Sequence, residues 1–558
     1  MSPEISSPGK PSPCRMGEGC QEPPANSQKA VHRSGGVSAG NRSGSEVRVS
    51  REISRREATT PQPTAQAGSP GEAARAAGEV GVLHSSVNPG ETKTPGEPRE
   101  GTYAHAHQRS AGRGDGWVEG EYLFDQIGTP PKVQKLQRAL YRKAKAQPQW
   151  RFWSLYGELF RRELMECAMA AVAHNDGGPG IDGQGVQTYL ANDEVWAAFR
   201  DGLIEELRTR RYRPSPVKRV WIDKGNGKER PLGVPTVKDR VVQAALMLVL
   251  LPIFEADFHQ HSYAYRPKRN AHQAMDAIKR AVLKGQHEII DADLSGYFDS
   301  IPHRRLMGLV ARRVSDGSVL ALVRAWLRAP VVEIDRGSGQ KRITPNRRGT
   351  PQGGVISPLL ANLYLDGLDK GVNDRCELRS TMIRYADDFV ICCRPGQGPG
   401  LLKRLKRWLD ARGLQLNETK TRLVDVHRES IKFLGFRLQW RRGQTGRNYP
   451  HVEPHPDSCA KLRERLRGKL NHWTLCDPEE EKIKEVNRTV KGWVGYYHYS
   501  NSARVLNQVQ RFVCDRMRRW LWRRHARVKG KYEHYNDKTL WERYGLYRLP
   551  TWAAWKRA

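Results

Sequence analysis

Asp387 and Asp388 stand side by side in MIRYADDFVICC (382–393), between arms whose residues favour burial. A carboxylate in such surroundings is costly unless something positive compensates it. Successive side chains on a strand face opposite ways, so the two acids can cooperate only at the tip of a tight hairpin. A surface turn with solvated acids is the plain alternative. The apolar arms argue against it, and so does a matching acid upstream. That acid is Asp293 in IIDADLSGYFDSIPH (289–303), at the end of an apolar strand, before Ser-Gly, and flanked by Asp291 and Asp299. Three such carboxylates suit a hard cation such as Mg²⁺. Two metals about 3.5–4 Å apart would activate an attacking oxygen and stabilise a leaving one, which is what phosphoryl transfer needs. No Ser-His-Asp arrangement competes, and neither SGYFDS nor KGNGKERPLG matches the P-loop phosphate cradle.

These acids need elements to position them. EIIDADL (288–294) reads as a buried strand, and the runs 382–386 and 389–393 read as the two arms of the hairpin. KVQKLQRALYRKAKAQ (132–147) and WRFWSLYGELFRRELMECAMAAVAHN (150–175) read as helices, and NDGGPGIDG (175–183) breaks the pattern. From about 458 onward the chain reads helical, with 24 Lys/Arg against 10 Asp/Glu and 7 of the 15 Trp. In VLNQVQRFVCDRMRRWLWRRHARVK (505–529), apolar residues at 506, 509, 513, 517 and 521 form a core-facing stripe. Arg511, Arg518, Arg519, Arg523 and Arg524 fall off that stripe, on a face that is either merely solvated or in contact with RNA phosphates and bases.

Over all 558 residues, 94 Lys/Arg against 60 Asp/Glu give a formal charge of +34, which points to a polyanionic partner. No run of 18 apolar residues indicates a membrane span. AALMLVLLPIF (244–254) is too short for one and reads as a core helix. Nine cysteines without a CxxC pair argue against a disulfide framework and a zinc ribbon. The N-terminus has no apolar signal region, and residues 1–102 contain no Phe, Trp or Tyr at all. Roughly residues 1–115 are therefore expected to be disordered.

Several segments in order resemble the blocks of group II intron reverse transcriptases: RPLGVPTVKDRVVQ (230–243), HSYAYRPKRNAHQAM (261–275), ADLSGYFDSIPH, GTPQGGVISPLLANLYLD (349–366), YADD, LQLNETKTR and KFLGF (432–436). NDGGPGIDG resembles their additional N-terminal block, and GWVGYYHYSN (492–501) their maturase, or thumb, domain. The resemblance spans about 117 to 558. It implies an α+β right-hand polymerase with an antiparallel palm sheet, followed by a helical thumb. The ranges it suggests are an N-terminal extension at 116–190, fingers at 191–285, palm at 286–450 and thumb at 455–528. A short basic, aromatic tail at 529–558, with Trp541, Trp552 and Trp555, could be a DNA-binding remnant.

By the same resemblance, Asp293, Asp387 and Asp388 are the catalytic metal ligands, with the Leu294 carbonyl beside them, for two Mg²⁺ ions or Mn²⁺ in their place. Phe298 stands where the family has an aromatic gate that excludes a 2′-OH; a core Phe is the bland alternative. Lys224, or its neighbour Lys228, and Arg230 would hold the triphosphate. Gln352 would contact the sugar, and Lys420 would help pyrophosphate leave unless it is simply solvated. Arg266 would touch template or nucleotide, and Phe433 and Gly435 of KFLGF would form the primer grip. The implied partners are intron RNA, a DNA primer or target, and dNTPs, with no membrane. The implied compartment is the bacterial cytoplasm at the nucleoid, with an organelle as the lesser option.

Two departures stand out. Ala264 and Tyr265 replace the commoner Gly and Phe of the family's block. The chain also stops without a Cys-rich His-Asn-His endonuclease, so the expectation is that it uses a borrowed nick or a nascent strand as primer. The alternatives are a reverse transcriptase domesticated for phage defence or CRISPR adaptation and a non-enzymatic splicing factor.

Overall fold

The computed structural model describes residues 129–552, except 224–228, 336 and 526–529. The stretch 1–115, Trp117, Lys224, Lys228 and Trp555 lie outside the described residues.

Eleven strands among the described residues form three sheets. The first joins β1 (Val217–Asp223), β2 (Glu229–Val234), β4 (Val331–Ile334) and β5 (Lys341–Thr344) in the order β2-β1-β4-β5, with β1 and β4 parallel. The second, which carries the acids, has the order β6-β7-β3-β8 and is antiparallel throughout. Its strands are β3 (Glu288–Ala292), β6 (Thr381–Tyr385), β7 (Asp388–Cys393) and β8 (Arg422–Asp425). The third is β9 (Ile431–Phe433), β10 (Phe436–Arg442) and β11 (Asn448–Pro454) in the order β11-β10-β9.

The acid-bearing strands read as continuous apolar runs because both faces of their sheet are covered. Ile290, Ala292, Met382, Phe389, Ile391 and Cys393 point into one core, shared with the helices Val237–Glu255 and Ser357–Asn373. Ile289, Ile383, Val390, Cys392 and Val424 point into a second, shared with the helix Ala271–Leu283 and the third sheet. Strict alternation between the two cores follows from the period of two along a strand. Val237–Glu255, which contains the apolar run 244–254, is buried almost all round. Among the described residues no helix is long and apolar enough to cross a membrane.

The boundary drawn at 285 is not where the packing divides. The helix Ala271–Leu283, assigned to the fingers, covers the back of the acid-bearing sheet, and β1 and β2 share a sheet with β4 and β5 from the other side of that line. The helix expected over 150–175 begins later. The Leu155 and Tyr156 amides both donate to Asp316 Oδ2 at 2.8 Å, and Phe152 bridges to Val314, so the chain up to 155 is pinned in another conformation. A 3₁₀ turn, Tyr156–Phe160, then leads into the helix Arg162–Asn175.

The C-terminal region packs the helices Pro456–Lys469, Glu479–Tyr497 and Ala503–Arg524 around Leu466, Ile483, Val486, Val490, Val509, Val513, Met517 and Leu521. Their spacing of three and four along each helix makes one apolar stripe per helix. Three glutamates open the second helix and two arginines close the third, each matching the helix dipole. The tail at 529–558, expected as a possible DNA-binding remnant, joins the same packing over its described residues. Tyr535, Leu540, Leu546 and Leu549 are buried in this same three-helix core, so 530–549 completes the thumb.

Candidate active site

β6 and β7 pair up to Tyr385 opposite Asp388, which leaves Ala386 and Asp387 as the two-residue tip of the hairpin. Ala386 has a φ of 62°, and Asp387 is not among the residues with positive φ. This is the sign pattern of a type II′ turn, whose first position glycine normally takes. An L-residue in left-handed backbone is disfavoured by roughly 1–2 kcal/mol. β3 pairs with β7 up to Ala292 opposite Phe389, so one more step of the same register sets Asp293 across from Asp388. The strand end is fixed from its other side. Asn417 N donates to the Asp293 carbonyl at 2.8 Å, Leu294 bridges to Leu416, and Ser295 N donates to the Gln415 carbonyl.

The carboxylates respond to one another. Burial raises the Asp387 carboxyl above its ordinary range and the charge of Asp293 raises it further, with Arg230 and Lys420 opposing. Asp388 is pushed up to about 6, first by desolvation and then by Asp387, Asp293 and Asp291. Asp293 Oδ2 accepts from Asn417 Nδ2 at 3.0 Å and from Lys420 Nζ at 3.0 Å. As placed, no three His, Cys, Asp or Glu side chains among the described residues surround a single point, and Asp293 pairs with Lys420. The donor set still fits a hard divalent cation: every ligand is an oxygen, and mutual repulsion of the acids is what a cation relieves.

Residues 222–438 match the family Reverse transcriptase (RNA-dependent DNA polymerase). Residues 458–541 match Group II intron, maturase-specific domain. Protein YkfC of Escherichia coli strain K12 is 32% identical over 354 residues, covering 56% of this chain and 90% of YkfC. The chain belongs to the group II intron reverse transcriptases. The Group II intron-encoded protein LtrA of Lactococcus lactis subsp. cremoris is 40% identical over 226 residues, which are 40% of this chain and 35% of LtrA. A protein in the cob intron of Schizosaccharomyces pombe is 24% identical over 64% of this chain and 53% of its own length. The enzyme class is RNA-directed DNA polymerase, and this family uses divalent metal ions.

Around the acids of this reverse transcriptase, the segment 349–353 is locked to its neighbours by glycines. Gly349 has a φ of +86°, and a Cβ there would lie 2.7 Å from both Asp299 Cα and the Phe298 carbonyl oxygen. Thr350 N donates to that carbonyl at 2.7 Å. Phe298 is half-buried, its ring edge-on to Tyr297 at 5.5 Å. Gly353 has a φ of +115° and no room for a Cβ against the Gly233 carbonyl, while Gly233 N donates to the Gln352 carbonyl at 2.5 Å. Gln352 and Asp299 line one cleft with Arg219 and Arg348. Those two arginines escaped the sequence reading because neither stands in a motif. Arg230 lies on β2, its charge reaching Asp387, and its buried Nε has no hydrogen-bond partner among the described residues. Lys224 lies outside the described residues.

Several expected contacts with nucleic acid are overturned by burial. Arg266 is 6% exposed, and its fork closes on Glu255 at 2.9 and 2.8 Å. Its Nη1 donates to the His259 and Ser262 carbonyls at 2.6 Å each, so it fastens its own loop and has nothing left for a template. The Phe433 ring is buried in the second core, out of a primer's reach. Gly435, with a φ of +77°, is the tight turn under the thumb. A Cβ there would lie 2.5 Å from the Tyr497 hydroxyl, and the Gly435 carbonyl accepts from His455 N and Ser458 Oγ. On the last long helix, Arg518 is buried and bound to the Tyr535 carbonyl and Asp537. Arg524 is half-buried and holds the Leu475 and Asp477 carbonyls. Arg511, Arg519 and Arg523 remain on the exposed face.

The sequence reading also passed over Arg384, a fully buried arginine directly behind the acid turn, paired with Asp369 at 2.6 Å.

Proposed function

We propose that this chain copies group II intron RNA into DNA by extending a DNA primer with deoxynucleotides, and that it binds the same intron RNA and assists its splicing. The observation that carries the polymerase reading is the register that sets Asp293 across from the 387–388 turn, where Asp387 and Asp388 both feel its charge. In this reading the three aspartates and the Leu294 carbonyl hold two Mg²⁺ ions. The bound metals would supply charge neutralisation at the primer 3′-oxygen and at the phosphates. Lys420, exposed and already paired with Asp293, is free to turn to the departing pyrophosphate. Arg230 holds the triphosphate through a bidentate fork, and Lys224 is its proposed companion. Phe298, fastened to Gly349 and Thr350, closes the space a 2′-OH would need. Gln352 contacts the sugar from the same cleft.

Intron RNA is proposed to lie across the thumb, against Arg511, Arg519 and Arg523, in the bacterial cytoplasm at the nucleoid. The match over 458–541 and the charge of +34 support that part. Primer extension on an RNA template with Mg²⁺ tests the polymerase. DNA product that depends on dNTPs is expected, and its absence removes the reading. Splicing of the host intron at near-physiological Mg²⁺ tests the second role. Wild type and Asp387→Ala should both stimulate it, and stimulation by neither rules the role out.

A further inference from the structure

β6 is apolar or aromatic at most positions, yet Arg384 within it exposes 0% of its surface. Its guanidinium is fully engaged. Nε and Nη2 donate to the Asp369 carboxylate at 2.9 and 2.6 Å, Nη2 also to Ser262 Oγ at 2.8 Å, and Nη1 to Asn362 Oδ1 at 2.8 Å. A further bond runs from Nη1 to the carbonyl of Ala386 at 3.0 Å. The backbone of Arg384 is held as well, by the His261 carbonyl and the Tyr263 amide at 2.9 Å each. One buried cation thus gathers the helix Ser357–Asn373, the segment 261–263 and the tip of the acid hairpin.

The bond to Ala386 separates this cluster from an ordinary internal ion pair. Ala386 sits at positive φ, where a residue with a Cβ stays only if its surroundings over-determine it. Its carbonyl belongs to the peptide that leads directly into Asp387. A buried ion pair contributes little net stability over apolar residues of similar volume, so stability alone is a weak reason for a five-donor network here. A lysine could keep the pair with Asp369, but it has no planar fork to reach Ala386 as well.

We propose that Arg384 is a positioning residue for polymerisation: it holds the Ala386 carbonyl and so fixes where Asp387 points, while Asp369, Asn362 and Ser262 aim the guanidinium. The inference rests on the polymerase reading above.

The test is a double-mutant cycle on the full chain. Arg384→Lys and Ala386→Gly are made alone and together. The readouts are the single-turnover rate of nucleotide addition at saturating dNTP, dNTP affinity and thermal melting. Arg384→Lys should slow addition by about tenfold or more, with dNTP affinity and cooperative melting retained. Adding Ala386→Gly should return most of the lost rate, because glycine accepts positive φ without an anchor. A purely structural role predicts the same loss with and without Ala386→Gly, and that result overturns the proposal, as does a wild-type rate for Arg384→Lys.

Should Arg384→Lys fail to fold, Arg384→Met combined with Asp369→Leu removes both charges together and is judged by the same two outcomes. Failure of both to fold in the Ala386→Gly background assigns the cluster to the fold alone and overturns the proposal. A wild-type chain unable to extend a primer would instead count against the polymerase reading, so the two failures are distinguishable.

Discussion

In the part of the chain before the thumb, Arg266 and Arg384 are buried, each with its fork closed on a carboxylate and its other donors spent on carbonyls or side chains of neighbouring segments. On the last thumb helix, Arg511, Arg519 and Arg523 face solvent. Arg519 makes a one-turn pair with Asp515 at 2.8 Å. Arg518 and Arg524, on that same helix, follow the pattern of the first two instead. The residue type is the same throughout. What differs is whether the fold supplies enough acceptors to use up the donors. An arginine whose donors are spent fixes geometry, and one with donors left over can meet a phosphate.

This contrast can be broken or sharpened in steps of decreasing size. Asp387→Asn should lower primer extension by about a thousandfold or more while RNA binding by the thumb persists; loss of both would tie the two regions together. Arg266→Met should destabilise the fold by about 3–5 kcal/mol, because it leaves the buried Glu255 with only the 4.0 Å contact to Arg269. Combining it with Glu255→Leu should restore most of that, as read by denaturant unfolding. Gly435→Ala should lower the melting temperature, through positive φ and the clash with Tyr497, and should slow extension more than it weakens dNTP binding.

Arg519→Gln with Arg523→Gln should change stability by no more than about 0.5 kcal/mol. The same pair should weaken RNA binding and flatten its salt dependence by about one unit of slope per lost phosphate contact. Arg518→Gln should do the reverse, melting earlier with little change in that slope.

The smallest effect lies at the joint between the two regions. There His272 stacks on Tyr499 at 4.6 Å and donates to the Tyr496 carbonyl at 2.7 Å. Burial holds its pKa below the ordinary 6.5, with Asp276 opposing. The folded state keeps this ring neutral while the unfolded chain takes up a proton near 6.5. Stability is therefore undiminished above that pH and falls as pH drops from it toward the lowered value. His272→Phe should flatten part of the decline in melting temperature between pH 7 and pH 5.5.

The hairpin tip at 387–388 and the strand end beside it were legible because strand period and register leave few options. Two acids inside apolar arms need a hairpin tip, and the strand ending at Asp293 is long enough to reach it. The helices of the thumb were legible from their stripes. The support behind the acids was not, since Arg384 in a strand gives no hint of which buried carboxylate it will find. A partial signal existed in the helix Ser357–Asn373, where Asn362, Asp366, Asp369 and Asn373 recur along one line of an otherwise apolar sequence. All four are bonded in the fold: Asn362 and Asp369 to Arg384, Asp366 to the His259 amide and Asn373 to Met382. Arg266 and Phe433 were misread because a motif fixes which residue is present, while only tertiary contacts decide which way its side chain turns. The strain at Ala386 was equally hidden: alanine carries no mark of positive φ, and only the two-residue loop reveals it.

The claim that the three aspartates form one cation site is tested most directly by Mn²⁺ binding to the full chain, followed by electron paramagnetic resonance, for wild type, Asp293→Asn and Asp387→Asn. Both substitutions should weaken Mn²⁺ binding sharply, although their positions lie far apart in the sequence. Wild-type binding by Asp293→Asn would contradict the account.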